Sequence, residues 1–336
     1  MKVALCFWGL TRSLKYTNHS IQEKIINILK NASIMTTNDQ NEQIVDTIEL
    51  TIFLHTYKFK SKYNNPRAKE VGLELDFDDY KLLNADFVQI DDQDEIKKQL
   101  NLQQYRTHID PWNSNYICVD NFICAMYSKQ QLGKMVTESG QEFDRIIFLR
   151  PDVRYINKFD VSWLSIVDDE KICIPGFALF PDFNDRFCIA NYKNAQIYCN
   201  LFDKMLKYSK RFPLHSERFQ SHCLRQIYNL RIYFIPFYFN RTRANGYEEP
   251  DWKNYKRRNQ MKNMSNNSAE MRLVLKDGLP NAYNNLAVNP SHNAQSRTYT
   301  NPLPKNKQAV PLPITHMQIT NNVRNRSGHK VMAMGL

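Results

Sequence analysis

Two charged residues either side of a proline carry the densest chemistry in the sequence: Arg150-Pro151-Asp152 follows the apolar run Ile146-Ile147-Phe148-Leu149. Pro151 lacks an amide donor and biases the residue before it towards extended geometry. A strand built on 146–149 therefore ends there and sets Asp152 just beyond its carboxyl end, the edge at which open α/β sheets bind ligands. A carboxylate beside a guanidinium suits phosphate chemistry. Hard cations such as Mg²⁺ are held by one or two carboxylates plus phosphate oxygens, and an arginine fork pairs with a further phosphate oxygen. The same residues would equally close a buried strand in a surface ion pair.

A second candidate lies at the N-terminus. Val3-Ala4-Leu5-Cys6-Phe7 reads as a strand, Trp8-Gly9-Leu10-Thr11-Arg12-Ser13 as the turn after it, and Ile21, Ile25, Ile28 and Leu29 recur at helical spacing. Strand, glycine turn and helix open many nucleotide-binding α/β units. Gly9 permits close backbone approach, and Arg12 can reach a phosphate at the start of the helix. An ordinary βα turn has the same ingredients.

The elements that must position these residues follow from periodicity. Four unbroken apolar residues at 146–149 predict a strand covered on both faces, as in a parallel sheet. A helix over 121–136 precedes it, with Phe122, Ile123, Met126, Leu132 and Met135 apolar and Tyr127, Ser128, Lys129 and Gln131 on its more polar side. A helix leading straight into a buried strand implies a crossover and a parallel neighbour. Further strands are predicted at 51–54, 85–90 (alternating, near an edge), 171–175, 185–190 and 230–239. His55, after the second strand, reads as a structural histidine rather than a ligand contact. Ser216 is an acceptable N-cap for a helix through Phe219, Leu224 and Ile227. The acidic group Glu74, Asp76, Asp78 and Asp79 reads as a solvated loop. The fold class is α/β, with a mixed, mostly parallel sheet flanked by helices.

Charge divides the chain. Residues 251–336 hold 13 Lys and Arg against 3 Asp and Glu, which leaves 32 against 31 for residues 1–250. The net charge of +11 thus belongs to a basic extension of low periodicity at 251–336, behind a nearly neutral domain at 1–250. Such an extension can contact nucleic acid only through sequence-blind phosphate contacts. The seven cysteines are odd in number, widely spaced and set in apolar runs, which suits core residues in a reducing compartment rather than disulfides or a zinc site. No run reaches the ~20 apolar residues of a membrane span. The first ten residues read as a strand rather than a signal peptide, so the expected location is cytoplasmic.

Taken in order, Val3-Ala4-Leu5-Cys6-Phe7-Trp8-Gly9-Leu10-Thr11-Arg12, Ile52-Phe53-Leu54-His55-Thr56-Tyr57, Phe148-Leu149-Arg150-Pro151-Asp152, Asn184-Asp185-Arg186-Phe187 and His215-Ser216-Glu217 resemble GT-A-like glycosyltransferases of large DNA viruses and bacterial surface-polysaccharide clusters. The resemblance spans roughly residues 1–250. It implies a GT-A-like, Rossmann-like fold, a nucleotide-sugar donor, a glycan or other hydroxyl acceptor, and a divalent cation, Mn²⁺ or Mg²⁺, bridging the donor's diphosphate. Arg150-Pro151-Asp152 occupies the place of the family's DxD motif, with arginine at the first acidic position and Asp152 as the remaining metal ligand. Gly9, Thr11 and Arg12 match the donor-binding turn, and Tyr127, Ser128 and Gln131 fall on the helix expected to face the nucleotide. Glu217 stands where inverting members place the base, and Asp185 is the second catalytic candidate. Arg241 and Arg243 could close over the pyrophosphate or remain solvated. A non-catalytic nucleic-acid or virion-associated protein acting through the basic extension is the alternative.

Overall fold

The computed structural model describes residues 1–37, 43–65, 68–256 and 259. Apart from residues 251–256 and 259, the basic extension lies outside the described residues. The framework is a seven-stranded sheet. Its strands in chain order are β1 (Lys2–Trp8), β2 (Glu49–Lys58), β3 (Phe87–Asp92), β4 (Arg145–Leu149), β5 (Lys171–Pro175), β6 (Phe187–Ala190) and β7 (Arg231–Ile235). They lie side by side as β7-β5-β6-β4-β1-β2-β3, and every neighbouring pair is parallel except the two that β6 makes with β4 and β5. This is the mixed, mostly parallel sheet expected from the buried apolar runs, with β3 at the predicted edge.

β1 shows why the sheet is covered on both sides. Val3, Leu5 and Phe7 join one hydrophobic core, while Ala4, Cys6 and Trp8 join the other, as the two-residue period of a strand requires. Helix α1 (Leu14–Ile21), continued by a wider turn at Gln22–Ile26, covers the first face with Leu14, Ile21, Ile25 and Ile26. The long helix α2 (Ile117–Glu138) covers the second with Phe122, Ile123, Met126 and Leu132, and α3 (Tyr192–Cys199) packs beside it through Ala195, Tyr198 and Cys199. All seven cysteines are free and six are buried, in keeping with their reading as small core residues. No helix among the described residues is long and apolar enough to cross a membrane.

Three sequence expectations are corrected. α2 starts four residues early because the loop before it is pinned by Asp110, which accepts hydrogen bonds from the amides of Trp112, Ser114 and Tyr116 and the Ser114 hydroxyl. The side of α2 read as polar is largely interior: Ser128, Lys129 and Gln131 are buried, and polar groups from other elements meet Ser128 and Lys129. The strand expected at 230–239 divides into β7 and a short strand Phe239–Arg241 paired with Val153–Tyr155, because Pro236 offers the ladder no amide.

Candidate functional site

Register brings the candidate residues to one edge. Phe7 pairs with Leu149 and Trp8 with His55, so the turns after β1, β2 and β4 emerge together at the carboxyl ends of the parallel strands. β6 runs the other way, with Phe187 opposite Leu149. Its reversal delivers the residues just before it, Asp185 and Arg186, to the edge that receives Arg150 and Asp152. Helix α4 (Ser216–His222) begins there too, with Glu217 in its first turn. Together they bound a cleft of about 680 Å³, within the range of small-molecule sites.

On one wall Asp152 sits between two arginines. Arg150 donates from Nε to Oδ1 at 2.6 Å and from Nη2 to Oδ2 at 2.5 Å, and Arg12 donates from Nη2 to Oδ2 at 2.9 Å. Burial opposes ionisation of Asp152, but the two guanidinium groups outweigh it and hold the carboxyl well below the usual carboxylate range. The backbone is tied as firmly. Thr17 Oγ1 donates to the Pro151 carbonyl at 2.6 Å, and the Thr242 amide donates to the Asp152 carbonyl at 2.8 Å. Arg12 is further held by Tyr63 Oη and lies 3.7 Å from Glu70, while the Arg150 guanidinium lies 5.3 Å from the centre of the Trp8 ring. Arg241 and Arg243 are each held by an acid. Asp251 receives Arg241 from Nε and Nη2 at 2.9 and 2.7 Å, and Glu249 receives Arg243 at 2.9 and 2.7 Å. Both arginines line the same cleft.

The cleft also carries the two candidate catalytic carboxylates. Asp185 Oδ2 accepts from the Ser216 hydroxyl, and its Oδ1 lies 3.7 Å from Arg186. Burial opposes its ionisation, but Arg186, Lys129 and the Ser216 hydrogen bond leave its pKa below the ordinary value. Glu217 lies 3.6 Å from Arg186 and 3.2 Å from His215 Nδ1. His215 is itself stacked between Trp112 and Phe180, with ring centres 4.8 and 4.5 Å away.

Of the sequence candidates, Gly9, Arg12, Arg150, Asp152, Asp185 and Glu217 line the cleft, and Thr11, Tyr127, Ser128 and Gln131 do not. The residues of α2 that line it are Cys118, Asn121, Phe122, Cys124 and Ala125, nearer the start of the helix than expected. Ser128 instead accepts from the Gly9 amide at 3.0 Å and bonds His55 Nδ1 at 2.8 Å, and His55 Nε2 reaches Asp91 at 3.1 Å. His55 is fully buried, which bears out its structural reading. Sequence reasoning did not single out Glu70, Glu249 and Asp251, the acids that seat the arginines. Their only signal was an unusual count of arginines near turns.

No protein-family profile matches the chain, and no curated protein matches it. Among solved structures, the apo form of mouse xyloside xylosyltransferase 1 is similar at a TM-score of 0.34 and 11% identity, covering 70% of this chain and 85% of that one.

A divalent cation, implied by the resemblance, fits these residues poorly. Both oxygens of Asp152 already accept guanidinium hydrogen bonds. Among the described residues, no three His, Cys, Asp or Glu side chains gather where they could hold a metal, whereas a hard cation seeks about six oxygens.

Proposed function

We propose that the chain is a glycosyltransferase that moves a sugar from a nucleotide-sugar donor to a hydroxyl of a glycan or other acceptor, in the GT-A-like group its motifs resemble. The observation that carries the reading is one cleft at the carboxyl ends of parallel strands that gathers two kinds of group. Arginines set by Asp152 suit a diphosphate. Asp185, and Glu217 in the first turn of a helix, suit an acceptor hydroxyl. The free cysteines suit a reducing compartment, the cytoplasm, or the host's if the chain is viral.

In an inverting displacement Glu217 takes the acceptor proton. The acceptor oxygen bonds to the anomeric carbon, and the bond from that carbon to the diphosphate breaks, its electron pair leaving on the diphosphate oxygen. Arg12 and Arg150 stabilise the charge that develops there. Asp185, fixed by Ser216, orients the acceptor.

The test is a panel of UDP- and GDP-sugars assayed for transfer or hydrolysis. At least one donor should turn over. Glu217→Gln should cut its transfer by roughly 10²–10⁴-fold while donor affinity, measured by calorimetry, stays within a few-fold. A panel in which no donor binds or turns over would sink the assignment.

A further inference from the structure

We infer that the diphosphate end of this cleft is built to work without a divalent cation, with guanidinium groups taking the cation's place. The inference rests on the nucleotide-sugar reading above and concerns how that donor is held. Asp152 occupies the position from which a carboxylate would reach a bridging ion. Its oxygens are already committed to three N–H donors, two from the fork of Arg150 and one from Arg12. The pair is also buried, with the Asp152 side chain 4% and the Arg12 side chain 8% exposed. An ion that took Asp152 would strip Arg150 of both hydrogen bonds to it and Arg12 of one, and set a double positive charge beside them, where water screens little. Removing the arginines from the carboxylate would therefore cost more than one ligand returns.

The same contacts suit a diphosphate directly. A guanidinium has five N–H donors in a fixed plane. Arg150 spends one from Nε and one from Nη2 on Asp152, which leaves its Nη1 edge and a second Nη2 proton. Arg243 spends Nε and Nη2 on Glu249 and keeps Nη1. Arg150 and Arg243 are both near enough to Arg12 for their charges to act on it, and all three line the cleft. Asp152 thus sets two forks in fixed orientation and offsets part of their mutual repulsion. The ligand class is a nucleoside diphosphate, free or as the leaving half of a nucleotide sugar.

Calorimetric titration of the full chain with UDP and with GDP, first in EDTA and then in Mn²⁺ or Mg²⁺, tests this without any substitution. At least one nucleotide should bind in EDTA, and adding the cation should change its affinity by less than about threefold, the mark of near-zero coupling between the two. Arg150→Lys, which keeps the charge and loses the fork, should weaken binding in EDTA by about tenfold or more, with an unchanged circular-dichroism spectrum. Binding that appears only with the cation would overturn the inference and leave the nucleotide-sugar reading standing. Failure of both nucleotides in both conditions would overturn the two together.

Discussion

Lys129 is an ammonium group held inside the protein. It donates to Tyr198 Oη at 2.6 Å, Gln220 Oε1 at 2.8 Å and the Asp185 carbonyl at 3.3 Å, and it lies 4.5 Å from the centre of the Trp8 ring. Burial lowers its pKa from 10.5 to about 8, against the pull of Asp185. The unfolded chain keeps this proton up to about 10.5 while the folded chain releases it near 8, so the unfolded state binds more protons between those values. Stability should therefore rise with pH across that window. Relative to Lys129→Met, the wild type should gain about 3 kcal/mol between pH 7 and 10.5, read by urea denaturation at stepped pH. A flat difference would mean that the ammonium stays charged throughout. Lys129 also shows what local patterning could not reveal. Arg150-Pro151-Asp152 was legible because a proline ends a ladder whatever surrounds it. Lys129 was assigned to a polar face because its partners lie 56 to 91 residues away in sequence.

Among the elements, α2 and α3 approach closely at Gly133. A β-carbon added at Gly133 would lie 2.7 Å from Cys199 Cβ and 2.9 Å from its Sγ, and Cβ of a helical residue has no rotamer by which to retreat. Gly133→Ala should destabilise the protein by about 1–3 kcal/mol, despite the gain of up to about 1 kcal/mol in helix propensity. A stabilised variant in chemical denaturation would show that the two helices can part. The sheet elements themselves were readable, since unbroken apolar runs at 146–149 and 3–7 demand cover on both faces. The direction of β6 was not. Apolar content says that a strand is buried but not which way it runs, and here direction alone brings Asp185 and Arg186 to the site rather than to the opposite edge.

For the whole molecule, the boundary placed at residue 250 cuts through packed structure. Helical residues 251–256 follow it, with Trp252 stacked on Tyr238 at 3.8 Å and Asp251 holding Arg241. A chain ending at residue 260 should keep its Tm and its nucleotide binding. One ending at 250 should lose at least about 3 kcal/mol, or roughly 10 °C in Tm, through the lost aromatic contact and the unpaired arginine. Loss of nucleotide binding on removal of residues 261–336 alone would instead favour the reading in which the basic extension carries the main affinity.

The ties around Asp152 join distant parts of the chain: Arg12 to Asp152 across 140 residues, Ala244 to Glu70 across 174 and Ser13 to Thr242 across 229. Closing such long loops is slow and entropically costly. No fragment that lacks Arg12 or ends before Asp251 contains the cleft whole. A growing chain therefore lacks a whole cleft until Asp251 has been made, well after the parallel strands at its centre.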